Sequence, residues 1–126
     1  MLIQVLKSKL KEVIVTAADT RYQGSITLDP DLMEAANLLP YERVEVNGVN
    51  SCDRIVTYVI AGERGSGCVE LNGGAANFFD KGDEVHVNCF AFSDYNEYDL
   101  FYKDSNDIEH IFPKVVITDE NNKVID

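Results

Sequence analysis

Apolar positions in this chain fall mostly into short β-branched or alternating runs, and turn-forming residues separate them. Val13, Ile14, Val15 and Thr16 make one such run, and Ser25, Ile26, Thr27 and Leu28 a second. Residues 17–24 between them are polar, end in Gly24 and read as a connector. Residues 43–46 alternate polar and apolar as a half-buried strand does. Residues 54–61 are almost wholly β-branched or aromatic, which makes them the clearest strand. Glycine-rich residues 62–67 read as a hairpin loop into a short strand at 68–71. Asn72, Gly73 and Gly74 form a turn or close-approach loop, and residues 75–79 suit one helical turn. A strand at 84–92 follows the turn at 80–83, and residues 114–118 and 123–125 flank a polar turn as a terminal hairpin. One amphipathic helix interrupts the strands. Asp29 is its N-cap, Pro30 suits its first position, and Leu32, Ala35, Ala36 and Leu39 make one apolar stripe that Pro40 ends. Short strands, frequent turns and few helices predict a mainly β single domain, a small barrel.

Size and charge narrow the function classes. A chain of 126 residues, 45% hydrophobic, can close one core without staples. It has no apolar run of membrane-spanning length. Nor does it open with a long apolar segment before a small-residue cleavage site, which argues against a secretory signal. Eleven basic residues against 22 acidic ones leave a net charge of −11, a field that repels nucleic acid. Residues 90–126 alone hold nine acids and three lysines, and read as a solvated surface. Cys52, Cys68 and Cys89 are odd in number and widely spaced, which argues against a disulfide framework or a zinc site and fits buried, reduced thiols of a cytoplasmic protein.

The usual catalytic constellations are missing from the sequence. His86 and His110 are its only histidines, without metal-ligand spacing, and His86 reads as a half-exposed strand residue. No G-x-S-x-G, P-loop or dinucleotide fingerprint occurs. What remains is the pair Gly24 and Ser25, just before a strand, with Tyr22 upstream. Glycine allows backbone shapes that bring a following serine hydroxyl close to the preceding carbonyl. Gly65 and Ser66 form a second such pair, so the dipeptide alone decides nothing.

The ordered set of motifs does decide. Lys7, Ser8, Lys9, Leu10 and Lys11 come first, then residues 15–19 (VTAAD) and 22–29 (YQGSITLD). Arg54, Ile55, Val56, Thr57 and Tyr58 follow, then residues 63–66 (ERGS), 72–76 (NGGAA) and Gly82 with Asp83. In this order and at these spacings, over about residues 5–92, the chain resembles the pyruvoyl-dependent aspartate 1-decarboxylase family. It departs at Gly74, where the family usually has alanine, and at Lys11, where histidine is common.

That resemblance implies a six-stranded double-psi β-barrel with short helices, residues 1–126 as one domain, and a homotetramer with active sites between subunits. It implies self-cleavage between Gly24 and Ser25 into residues 1–24 and 25–126, with Ser25 becoming a pyruvoyl group. That group forms an imine with L-aspartate and takes up the electrons left by CO2, without metal or pyridoxal phosphate. Tyr58 is then the proton donor. Arg54 and Lys9 are the cations for two substrate carboxylates, in an order the residues leave open. Thr57 and the backbone of Gly73, Gly74 and Ala75 contact the substrate, while Gly24, Tyr22 and Asn72 support processing. In a regular strand Thr57 and Tyr58 face opposite ways, so both serve one site only if the strand bends or two subunits meet there. Product β-alanine would enter pantothenate synthesis. The residues leave open a helper protein for maturation, an uncleaved barrel that only binds a small acid or another protein, and cleavage with a different acidic substrate.

Overall fold

The structure, a computed structural model, describes residues 1–100 and 112–126. Its strands are β1 (Leu2–Ile14), β2 (Ala17–Asp19), β3 (Ser25–Leu28), β4 (Arg43–Gly48), β5 (Arg54–Ala61), β6 (Val69–Asn72), β7 (Glu84–Asp94) and β8 (Lys114–Ile117). Helix α1 spans Pro30–Ala35, and 3-10 turns cover Gly73–Asn77 and Tyr95–Leu100. The strands form one mixed sheet in the order β2-β6-β3-β5-β4-β7-β1-β8, in which two short outer strands flank six inner ones. The mainly β reading of the sequence holds, and the curled sheet is that of a small barrel whose rim is not closed by hydrogen bonds.

Alternation buries one face. Val44 and Val46, Val69 and Leu71, and Val85 and Val87 are each at most 1% exposed, and they meet Leu10, Ile26 and Val59 in one core. Burying each such side chain contributes about 1.5–3 kcal/mol. β1 begins well before the predicted residue 13 because two bulges, at Leu6/Ser8 and Leu10/Val13, interrupt its register with β7. Leu10 and Val13 are both fully buried although three residues apart, which breaks the period of two.

α1 starts as predicted: the Asp29 carboxylate accepts from Asp31 N at 2.8 Å, and Pro30 is its first residue. It ends earlier. Asn37 adopts a left-handed φ of 56°, so Leu38 turns into the core and Leu39 is 67% exposed, outside the apolar stripe.

Three further expectations change. Residues 62–67 are a crossover, because β3 lies between β5 and β6. Residues 17–19 of the predicted connector pair in parallel with β6, using backbone rather than apolar side chains. Cys52 is exposed, while Cys68 and Cys89 are buried. The terminal hairpin forms as predicted, with Thr118 bridged to Val124. No helix among the described residues is long and apolar enough to cross a membrane. Residues 101–111 of the acidic tail, His110 among them, lie outside the described residues.

Candidate active site

β3 begins at Ser25, and this first residue is buried against β6. Ser25 is 1% exposed and pairs antiparallel with Asn72, the last residue of β6. Its Oγ donates to the Gln23 carbonyl at 3.3 Å and accepts from Asn72 Nδ2 at 2.9 Å. The same Asn72 nitrogen donates to Thr27 Oγ1 at 2.9 Å. The hydroxyl is therefore turned back along the chain, toward the Gln23 carbonyl.

The turn after β6 presses on that segment. Gly73 has φ +66°, and a Cβ there would lie 2.6 Å from both Cα and N of Gly24 and 2.8 Å from the Tyr22 carbonyl oxygen. Only glycine permits this approach. At Gly74 a Cβ would meet nothing within 4 Å, so an alanine fits there as well.

Two cavities open on either side of the Gly24 and Ser25 pair. One, of about 570 Å³, is lined by Asp19, Arg21, Tyr22, Ser25, Thr27 and Asn72 among others. The other, of about 390 Å³, is lined by Gly24, Thr57, Tyr58, Gly74, Ala75 and Phe78, with Ile55 and Val56. Both fall in the roughly 300–1,000 Å³ range of small-molecule sites. Four consecutive residues of β5 line the second cavity, so Thr57 and Tyr58 reach it together. The register explains this. Pairing of β3 with β5 starts at Ile26 and Val59, so Ser25 falls opposite Tyr58 at the unpaired start of β3, and residues 55–57 of β5 lie beyond that start with an open edge. Side chains of both faces border an open strand edge, so one chain accounts for both residues.

The structure brings Ser25, Gly24, Tyr22, Asn72, Gly73, Gly74, Ala75, Thr57 and Tyr58 into one region. It does not bring Arg54 or Lys9 there. Arg54 is exposed, pairs with Asn47 and has its Nε 3.4 Å from Glu45 Oε1. Lys9 lies on β1 between Asn88 and Val115, and neither cation lines either cavity. Thr27, Arg21 and Phe78 border the cavities and were missed. For Thr27 the signal was present, since residues i and i+2 of a strand share a face.

Comparison with known proteins decides the family. The profile described as "Aspartate decarboxylase" matches residues 1–125. The chain belongs to the aspartate decarboxylase family. A relative named aspartate 1-decarboxylase from Caldicellulosiruptor saccharolyticus is 44% identical over 125 residues, 99% of this chain and 90% of the relative. One of the same name from Leptospira biflexa is 46% identical over 123 residues, 98% of this chain and 97% of the relative. Another, from Phocaeicola vulgatus, is 50% identical over 97 residues, covering 77% and 84%. The match to the aspartate decarboxylase family thus runs past residue 92, where the sequence motifs end. Among the described residues no cluster of three His, Cys, Asp or Glu side chains is placed to hold a metal.

Proposed function

We propose that this chain is an aspartate 1-decarboxylase, which converts L-aspartate to β-alanine and CO2 for pantothenate synthesis after breaking its own backbone between Gly24 and Ser25. The shared name and near-complete coverage of its relatives support the substrate and reaction. One observation carries the part specific to this chain: the buried Ser25 hydroxyl held at Gln23 and Asn72, directly after a glycine. A pyruvoyl group has to arise from a serine whose oxygen reaches the preceding carbonyl, and this arrangement fits that need.

Maturation uses the chain's own atoms. Ser25 Oγ bonds to the Gly24 carbonyl carbon, the C–N bond breaks, and the Ser25 nitrogen takes the hydroxyl proton, which turns the amide into an ester. Loss of the Ser25 Cα proton to water then expels Gly24 as a carboxylate, and hydrolysis of the resulting enamine releases ammonia. Once formed, the pyruvoyl group supplies the electron sink that an α-decarboxylation requires.

The remaining residues bind and move protons. Tyr58, beside the start of β3, has a phenolic hydroxyl whose proton it gives to the substrate carbon. Thr57 and the backbone of Gly73, Gly74 and Ala75 offer small polar contacts along the free edge of β5. Two carboxylates on the substrate call for cations, and Arg54 and Lys9 fill that role from a neighbouring copy in a homo-oligomer, a tetramer. Exposed Tyr41, Val56 and Phe92, at 75%, 51% and 72%, support an interface between copies.

Intact mass is the test. Chains of 24 and 102 residues are expected, the longer one lighter than a serine-ended chain by about 17 Da. The sample releases CO2 from aspartate in proportion to the pyruvoyl chain. An unbroken chain that releases no CO2 after prolonged warming, alone or in a cell extract supplying a maturation factor, overturns the proposal.

A further inference from the structure

The Asn72 side chain reaches two hydroxyls. Its Nδ2 donates to Ser25 Oγ and to Thr27 Oγ1, each at 2.9 Å. A primary amide nitrogen carries two hydrogens in a fixed plane, so occupying one direction sets the other. The amide orientation follows from Ser25. Its single hydroxyl hydrogen goes to the Gln23 carbonyl, which leaves only lone pairs to face Asn72. Thr27 is itself pinned. A Cβ at Gly62 would lie 2.8 Å from Thr27 Cγ2, so the threonine methyl occupies the space this glycine leaves while Oγ1 points to Asn72.

We propose that Thr27 is a positioning residue for maturation: by taking one amide hydrogen of Asn72, it holds the other on Ser25 Oγ. This rests on the self-processing reading above. The contact does little for the first stage, in which Oγ attacks through a lone pair. It acts in the second. There water takes the Ser25 Cα proton, the electron pair left behind becomes the Cα=Cβ bond, and the Cβ–Oγ bond breaks. Oγ departs with that bonding pair as one oxygen of the new Gly24 carboxylate. Negative charge therefore grows on the atom Asn72 faces, and a hydrogen bond to a charged oxygen is about twice as strong as a neutral one. Without the Thr27 hydroxyl the amide is free to turn away.

The test follows maturation of Thr27→Val, Thr27→Ala and Thr27→Ser by intact mass, with and without hydroxylamine, and checks folding by circular dichroism. Hydroxylamine at neutral pH and room temperature splits the ester form, whose mass equals that of the unbroken chain, and leaves the amide form whole. The Asn-Gly bonds at 47–48 and 72–73 yield only under hot alkaline conditions. In both variants lacking the hydroxyl the pyruvoyl chain is expected to form about tenfold more slowly, with ester accumulating. Thr27→Ser, which keeps the hydroxyl, stays within about twofold of the parent. A folded Val or Ala variant that matures at the parental rate overturns the role, as does a Ser variant slowed equally. Accumulation of the amide form instead overturns the assignment to the second stage. A parent chain that never breaks takes the self-processing reading down with it, whereas a parent that matures beside unslowed variants overturns only the role of Thr27.

Discussion

Gly73 and Gly74 stand side by side and meet opposite surroundings. Gly73 holds a left-handed φ of +66° with the Gly24 backbone where its side chain would be, while Gly74 faces open space. Gly73→Ala adds strain of about 1–3 kcal/mol from the backbone conformation, before any displacement of Gly24. Displacing Gly24 moves the carbonyl that Ser25 must reach. The expected outcome is a Gly73→Ala chain that melts several degrees lower and stays unbroken, and a Gly74→Ala chain that matures and melts as the parent does. Thermal melts and an intact-mass time course check both. The close approach at this turn was legible from residues 72–74. Thr27 was not, because its partner Asn72 lies 45 residues away and only the β3–β6 register joins them.

Elements meet at two polar hinges whose long-range partners no local pattern announces. Asp29 caps α1 and also accepts from Gly65 N at 3.0 Å and Gly67 N at 2.8 Å, so one buried carboxylate ties the helix to the crossover loop. Burial alone would raise its pKa. The N–H groups of Asp31, Gly67 and Gly65, with Lys123 nearby, outweigh that and hold it below the usual value. A carboxyl lowered on folding adds stability that is complete above its unfolded pKa of about 4 and is lost as pH falls through the folded value. Asp29→Asn keeps one acceptor and loses the charge. It is expected to cost about 1–2 kcal/mol at pH 7, with a smaller loss of stability than the parent below about pH 4. Denaturant melts across pH 2–7 check this.

The second hinge is the Leu10/Val13 bulge, where Glu12 has φ 59° and its N–H donates to His86 Nδ1 at 3.1 Å. Burial first, then Lys9 and Lys11 close by, hold the imidazole below its ordinary pKa. Only the neutral ring can accept at Nδ1. A histidine lowered on folding adds stability present above about pH 6.5 and lost as pH falls through its folded pKa. The parent is therefore expected to weaken on acidification from pH 7, in a limb that His86→Phe lacks. A histidine NMR titration locates that pKa. These hinges explain what pattern reading reached and missed. Alternating and β-branched runs identified β3 to β7, and the preferences of Asp29 and Pro30 identified the start of α1. The bulges in β1, the early end of α1 and the placement of β3 between β5 and β6 depend on tertiary hydrogen bonds.

For the whole molecule, the sequence motifs give one list of site residues, whereas the fold divides that list in two. Ser25 and Tyr58 are neighbours because the β3–β5 pairing starts one residue further on, at Ile26 and Val59. Arg54 is four residues up β5 from Tyr58, about 13 Å along an extended strand. Lys9 is on β1, four strands from β3 in the sheet. A substrate with two carboxylates bound at Ser25 would find no cation from Arg54 or Lys9 of the same chain, although Arg21 borders that cavity; in the proposed oligomer a second copy brings Arg54 and Lys9. Co-expression of two inactive chains tests that division. Chains carrying Ser25→Ala keep the cations but cannot mature, and chains carrying Lys9→Ala mature but lack one cation. If each site takes Ser25 from one copy and Lys9 from its neighbour, equal random mixing restores about one quarter of the sites. CO2 release from aspartate by the mixed oligomer, near that fraction of the parental rate, is the expected outcome, and Arg54→Ala in place of Lys9→Ala behaves alike. If a single chain supplied the whole site, every chain in the mixture would lack one part, and no proportion of the two would recover activity.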